Sequence, residues 1–220
     1  MYKRQHIKRP ETELTVVRVE EAPPAIESDT DVAQAVPGVL RLVRRANAEG
    51  YDAVILACFS DPGLSAAREV SEILVLGIEE TSLHVAAMLG HKFTVLTPLP
   101  QRVPKKEREI KAVGLAESLA SVRPLDLTVT ETEAEPERTK ARVLEVSQKA
   151  VEADGAEVLV LGCAGMTGYA EEIQKKLGVV VIDPTSVTLK VAEGFVEVGL
   201  CHSKRALYQG KTLPQSGTLS

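Results

Sequence analysis

Cysteine is scarce in this sequence, with Cys58, Cys163 and Cys201 the only three in 220 residues. Three cannot make a disulfide framework, and none has the CxxC or CxxH spacing of a zinc site, so they are expected as reduced thiols, either packing atoms or reactive groups. No apolar run approaches the roughly 18 residues that a membrane-spanning helix needs, and the first ten residues are too polar and basic for a signal peptide. A cytoplasmic protein with no membrane partner is the expectation. Positive charge is not in excess either. With 26 Lys and Arg against 31 Asp and Glu, the net charge is −5, which leaves no basic stripe for a run of phosphates and argues against a nucleic-acid partner. GxGxxG and P-loop patterns are missing, so no nucleotide cofactor is expected. His84, His91 and His202 are scattered, with no HExxH pattern, and no metal site is expected.

What the sequence does have is apolar residues, 44% of the chain, arranged as short Val, Ile and Leu runs between helical patterns. This is how strands buried on both faces of a parallel sheet read. Strands are predicted over 14–19, 52–57, 73–77, 93–97, 125–130, 157–162 and 179–182. Helices are predicted over 62–71, 80–89, 103–113, 137–154, 167–177 and 186–198. A further apolar stripe from Val32 to Val43 marks a helix that Pro37 should kink or begin. The acidic stretch 131–137 reads as a solvated loop, and residues 1–9 as a poorly ordered leader. Alternation of strands and helices predicts a doubly wound α/β architecture.

Laying the chain against itself shows an internal echo. Ala53-Val-Ile-Leu-Ala-Cys58-Phe-Ser-Asp-Pro-Gly63, then a helix and Ile73-Leu-Val-Leu76, parallels Val158-Leu-Val-Leu-Gly-Cys163-Ala-Gly-Met-Thr-Gly168, then a helix and Val179-Val-Val-Ile182. Each copy is strand, Cys, Gly-containing turn, helix, strand. Both cysteines fall at the carboxyl end of a strand, where open parallel sheets bind ligands. The echo predicts two pseudo-symmetric lobes, residues 1–91 plus 184–220 and residues 92–183. In the second copy a strand and helix begin near Phe93, well ahead of Cys163, and the first copy has no counterpart to them. Its first βα unit is expected to be missing.

A Cys at a strand end has backbone N–H groups and a helix N-terminus nearby, and both are expected to lower its pKa. Two such thiols facing each other across a cleft could take a proton from one face of a carbon and deliver one to the other, inverting a stereocentre. The N–H groups of Phe59, Ser60, Ala164 and Gly165 are candidate donors to the developing oxyanion. Thr97, at another strand end, could offer a hydroxyl to a substrate or serve only the fold. Glu80 and Thr81 could cap a helix or touch a ligand, and Cys201 reads as incidental.

These motifs resemble the hydantoin and allantoin racemases of the aspartate/glutamate racemase superfamily. The resemblance is carried by Ala25-Ile-Glu-Ser28, Ala35-Val-Pro-Gly38, Leu56-Ala-Cys-Phe-Ser-Asp-Pro-Gly63 with Ala66-Ala-Arg-Glu69, Gly77-Ile-Glu-Glu80, Leu89-Gly-His91 and Leu161-Gly-Cys-Ala-Gly-Met166. It implies two Rossmann-like lobes with the active site between them and racemisation at C5 of a cyclic ureide without any cofactor. It also implies Cys58 and Cys163 as the acid/base pair, and a homo-oligomer. Ile26, Phe59, Thr97 and the turn Ala164-Gly165 look like pocket positions, and Ser60 stands where relatives commonly have Gly. The family's opening strand with its Asn-Pro-Asn motif has no counterpart here.

Other readings stay open. One is an amino-acid racemase, isomerase or decarboxylase on the same fold, although no basic residue adjoins either cysteine motif in sequence, which favours a neutral ligand. The other is a non-catalytic binding protein or inactive fragment.

Overall fold

The computed structural model describes residues 7–210. Its strands form two parallel sheets. The smaller pairs β1 (Ala53–Leu56) with β2 (Leu74–Gly77), and the larger has the order β4-β3-β5-β6, with β3 Phe93–Thr97, β4 Leu119–Pro124, β5 Val158–Leu161 and β6 Val180–Ile182. The larger sheet has helices on both faces, and side chains alternate between them as a strand requires. Phe93, Val95, Val158 and Val160 pack with Ile78, Leu83 and Ile110 on one side, while Leu96, Leu159 and Leu161 pack with Val143, Val146 and Ile173 on the other.

The smaller sheet is covered by α1 (Asp29–Glu49) and α2 (Leu64–Val70) on one face, through Val39, Val43, Ala67 and Val75. On its other face lies α8 (Pro184–Glu197), through Ala192 and Val191. Helix α3 (Ile78–Leu89) follows β2 directly and reaches the larger sheet at β5, so it stands between the two sheets. By the echo, β1 and β2 correspond to β5 and β6. The positions of β3 and β4 have no strand counterpart beside β1 among the described residues. β5 is buried throughout, whereas Ala53, Val54 and Ile55 of β1 are half-buried.

Several expectations need correction. Residues 14–19 pair with nothing as a strand; Val16 and Val17 are exposed, and only Val19 reaches the core beside Val39 and Val43. The strand expected at 125–130 lies earlier, at β4. Leu125 and Leu127 are buried in the loop after it, and α5 (Val129–Ala134) begins where Thr128 and Glu131 form a capping box. The acidic stretch is therefore partly helical, with α6 (Pro136–Asp154) starting two residues on. Helix α1 starts at Asp29 behind its own Ser28 cap and runs through Pro37. Of the expected leader, residues 1–6 lie outside the described residues. Arg9 is anchored, its N–H donating to Glu193 of α8 at 2.8 Å. No helix among the described residues is long and apolar enough to cross a membrane.

Candidate active site

A cleft of about 180 Å³ opens where the strand ends of both sheets converge. Its volume suits a small ring rather than a drug-sized ligand. Cys58 and Cys163 both line it, and so do the other expected pocket residues Ile26, Phe59, Ser60, Thr97, Ala164 and Gly165. Cys201 is exposed elsewhere, its thiol donating to the Glu72 carbonyl at 3.6 Å.

The two cysteine turns share a backbone plan. The carbonyl of each cysteine accepts an N–H from three residues ahead, Asp61 to Cys58 at 3.0 Å and Met166 to Cys163 at 3.1 Å. This sharp reversal turns the chain away from the sheet and leaves the sulfur at its edge. Neither sulfur sits at an α-helix N-terminus. α2 begins six residues after Cys58, and after Cys163 a single 3-10 turn intervenes before α7 (Ala170–Leu177).

The expectation of lowered thiol pKa values is overturned by burial. Cys58 is pushed up to about 12, first by desolvation and then by the charge of Cys163 across the cleft, with Lys106 pulling it down and Asp61 and Glu79 pushing it further up. Cys163 is also raised by desolvation, partly offset by the Gly165 N–H, which donates to Sγ at 3.4 Å, and by the Thr132 hydroxyl. Gly165 is thus already engaged with the sulfur. The N–H groups of Phe59, Ser60 and Ala164 have no partner among the described residues and remain available to a ligand. Glycine is required at 165 because a Cβ there would come within 2.7 Å of Thr132 Oγ1.

Residues that sequence reasoning missed complete the walls. Arg102, 7% exposed, and Lys106, 2% exposed, enter from α4 (Val103–Ala112) and the turn before it, on the Cys58 side. Arg102 donates to Ser60 Oγ at 3.3 Å and approaches Asp29 at 3.5 Å. Basic residues therefore do adjoin Cys58 in space, correcting the inference drawn from the neighbouring sequence. Glu27 and Glu133 lie on the cleft wall as well, and the Glu27 carboxylate accepts the Val129 N–H at 2.8 Å. A signal existed for the basic pair: both follow a strand end, one helical turn apart. Glu80 accepts from Arg68, and Asp61 rather than Thr81 caps α3, its carboxylate accepting the N–H groups of Glu79 at 3.1 Å and Glu80 at 2.8 Å. Neither Glu80 nor Thr81 lines the cleft.

The family model for Asp/Glu/Hydantoin racemase matches residues 2–192. The chain belongs to this family. It is 38% identical over 202 residues to the hydantoin racemase of Rhizobium meliloti, covering 92% of this chain and 84% of that protein. It is 37% identical to the hydantoin racemase of Pseudomonas sp. (strain NS671), covering 91% and 81%. Among solved structures, the allantoin racemase from Klebsiella pneumoniae superposes with a TM-score of 0.92 at 33% identity, over 98% of this chain and 88% of that one. Arylmalonate decarboxylase and glutamate racemase share the fold at TM-scores of 0.58 and 0.59, with 20% and 18% identity. The family assignment makes this chain a cofactor-independent racemase acting on a small molecule, with the two-lobed parallel α/β fold that its sheets display.

Proposed function

We propose that the chain inverts the C5 stereocentre of a hydantoin or allantoin by a 1,1-proton transfer between Cys58 and Cys163. The observation that carries this reading is that two repeat-related thiols, each at its own strand end, line one small cleft. One thiolate takes the C5 proton while the opposite thiol delivers another to the far face, and the negative charge passes from one sulfur to the other. The enolate oxygen formed in between would meet the free N–H groups of Phe59, Ser60 or Ala164. Ile26, Phe59 and Thr97 would hold the ring, and the boundaries 1–91 with 184–220 and 92–183 divide the chain into the two halves that supply the thiols. The names of the relatives support the substrate class. Acid/base thiols must stay reduced, which favours a cytoplasmic setting. Self-association would use the exposed apolar residues Phe195, Val198 and Leu200 at the end of α8.

A second reading, an acidic substrate such as an amino acid or malonate, is favoured by one observation, the placement of Arg102 and Lys106 on the cleft wall. Polarimetry decides between the two. Cys58→Ser and Cys163→Ser should each lower racemisation of 5-benzylhydantoin or allantoin by about 10³-fold or more. Full activity in either variant removes the two-thiol mechanism, and turnover of free aspartate alone would favour the second reading.

A further inference from the structure

A proton exchange between two thiols does not by itself account for the charged cluster beneath Cys58. Lys106 is buried, and its ammonium donates to the Phe59 carbonyl at 2.7 Å, to Glu79 at 2.6 Å and to Glu109 at 2.8 Å. It also lies 5.3 Å from the centre of the Phe59 ring. A buried ammonium is costly unless fully paired, and replacing such clusters with apolar side chains is often neutral or stabilising. The three donors of the ammonium are matched, but Oε1 of the buried Glu79 has no hydrogen-bond partner among the described residues. The cluster is thus poorly explained as a stabilising device, and it grips the residue next to a proposed acid/base thiol.

The other half of the molecule meets the same local need without charge. At the residue after each cysteine, the Ala164 carbonyl accepts the Thr167 N–H at 3.2 Å, whereas the Phe59 carbonyl accepts from Lys106. The C=O and N–H of one peptide plane point in opposite directions. Gripping the Phe59 carbonyl from the interior therefore turns the N–H of Ser60, a cleft residue, away from the cluster. We infer that Lys106 is a positioning residue for the Cys58 turn: it aims the Ser60 N–H at the ligand and favours the Cys58 thiolate, the form in which this half takes the C5 proton and to which it returns when it donates one. Its purpose rests on the two-thiol reading above, but its test does not. The titratable and charged groups packed around this turn are Asp61 in the turn, Glu79 at the start of α3, Glu109 on α4, the Cys163 thiol across the cleft, and Arg102, which donates to Ser60 Oγ. The first four are acidic, and Lys106 is the buried cation hydrogen-bonded to two of them, with Arg102 a second cation on the Ser60 side of the turn.

The test is alkylation by iodoacetamide between pH 7 and 10, assigned to each cysteine by mass spectrometry, in the wild-type chain, Lys106→Met and Lys106→Arg. Thiolate fraction governs the rate, so Cys58 should slow about tenfold in Lys106→Met while Cys163 stays within about twofold, with Lys106→Arg recovering most of the loss. Should Lys106→Met fail to fold, Glu109→Gln is decisive with the opposite sign: removing an anion from the cluster should speed Cys58 about twofold or more. Parallel changes at both cysteines would reduce Lys106 to a structural role, and an unchanged Cys58 rate in Lys106→Met, or in Glu109→Gln where that variant takes its place, would overturn the proposal. Because alkylation needs no turnover, a chain that racemises neither hydantoin nor allantoin leaves this result readable and sinks only the proposed function.

Discussion

The turns after Cys58 and Cys163 occupy equivalent places in the two halves and are built from different chemistry. The Cys163 turn is made of backbone, with Gly162 and Gly165 letting the chain pack against β3 and Thr132, and its sulfur receives a backbone N–H. The Cys58 turn carries side chains, Phe59, Ser60 and Asp61, and is tied down by a buried lysine. Equivalence by symmetry therefore fixes where the two thiols are and leaves their acidity free to differ.

The comparison can be broken at its backbone side first. Gly165→Ala forces a Cβ against Thr132 Oγ1 and to 3.5 Å from Cys163 Sγ. Displacing a reacting group by a fraction of an ångström to an ångström should lower kcat/KM about 100-fold, as read by circular dichroism of the racemising substrate. Ser60→Ala, in the other turn, removes only a hydroxyl that meets Arg102, and should stay within about fivefold of wild type. Equal losses would show that the two turns are not built differently.

The pH profile sharpens the same contrast. Both thiols are held above their ordinary range by burial, Cys58 at about 12, so both are protonated in most molecules at neutral pH. The thiolate population, and with it kcat/KM, should rise about tenfold per pH unit from pH 7 to 9. A plateau across that range would mean that one thiol ionises near neutrality in the free enzyme.

A smaller effect concerns stability. A Cβ at Gly162 would collide with the backbone carbonyl of Leu96 on β3, whereas Ala57, its counterpart before Cys58, has no strand in that position among the described residues. Gly162→Ala should cost about 3 kcal/mol and Ala57→Gly about 1 kcal/mol or less by urea denaturation. Similar values for the two would mean that β1 is as tightly flanked as β5.

Much of this architecture was legible in the sequence because central parallel strands are apolar on both faces. Val158–Leu161 announces itself as an unbroken apolar run, and Phe93–Thr97 as one interrupted only by Thr94. β4 did not, since an edge strand pairs on one side only and its sequence, Leu119-Ala-Ser-Val-Arg-Pro124, is broken by Ser121 and Arg123 and closed by a proline. The next segment misled for the converse reason: Leu125, Leu127 and Val129 alternate like a strand, yet the Thr128 cap turns the chain into a helix. In the site, the cysteine pair was found through the repeat, a signal that needs only order along the chain. Arg102 and Lys106 were not, because they reach the cleft from elements that the repeat does not single out, and Thr132, buried behind Cys163 and Gly165, was not for the same reason. The direction of the thiol shifts was missed too, since burial, which decides it, exists only once both halves are folded together.

Racemisation of one enantiomer of 5-benzylhydantoin in D₂O tests most directly whether two opposed thiols act on one carbon. Chiral separation with mass spectrometry should find deuterium at C5 of the inverted product and protium in the recovered substrate during the first turnovers. Deuterium entering the recovered substrate as fast as it enters the product would mean that a single base serves both faces, which contradicts the account.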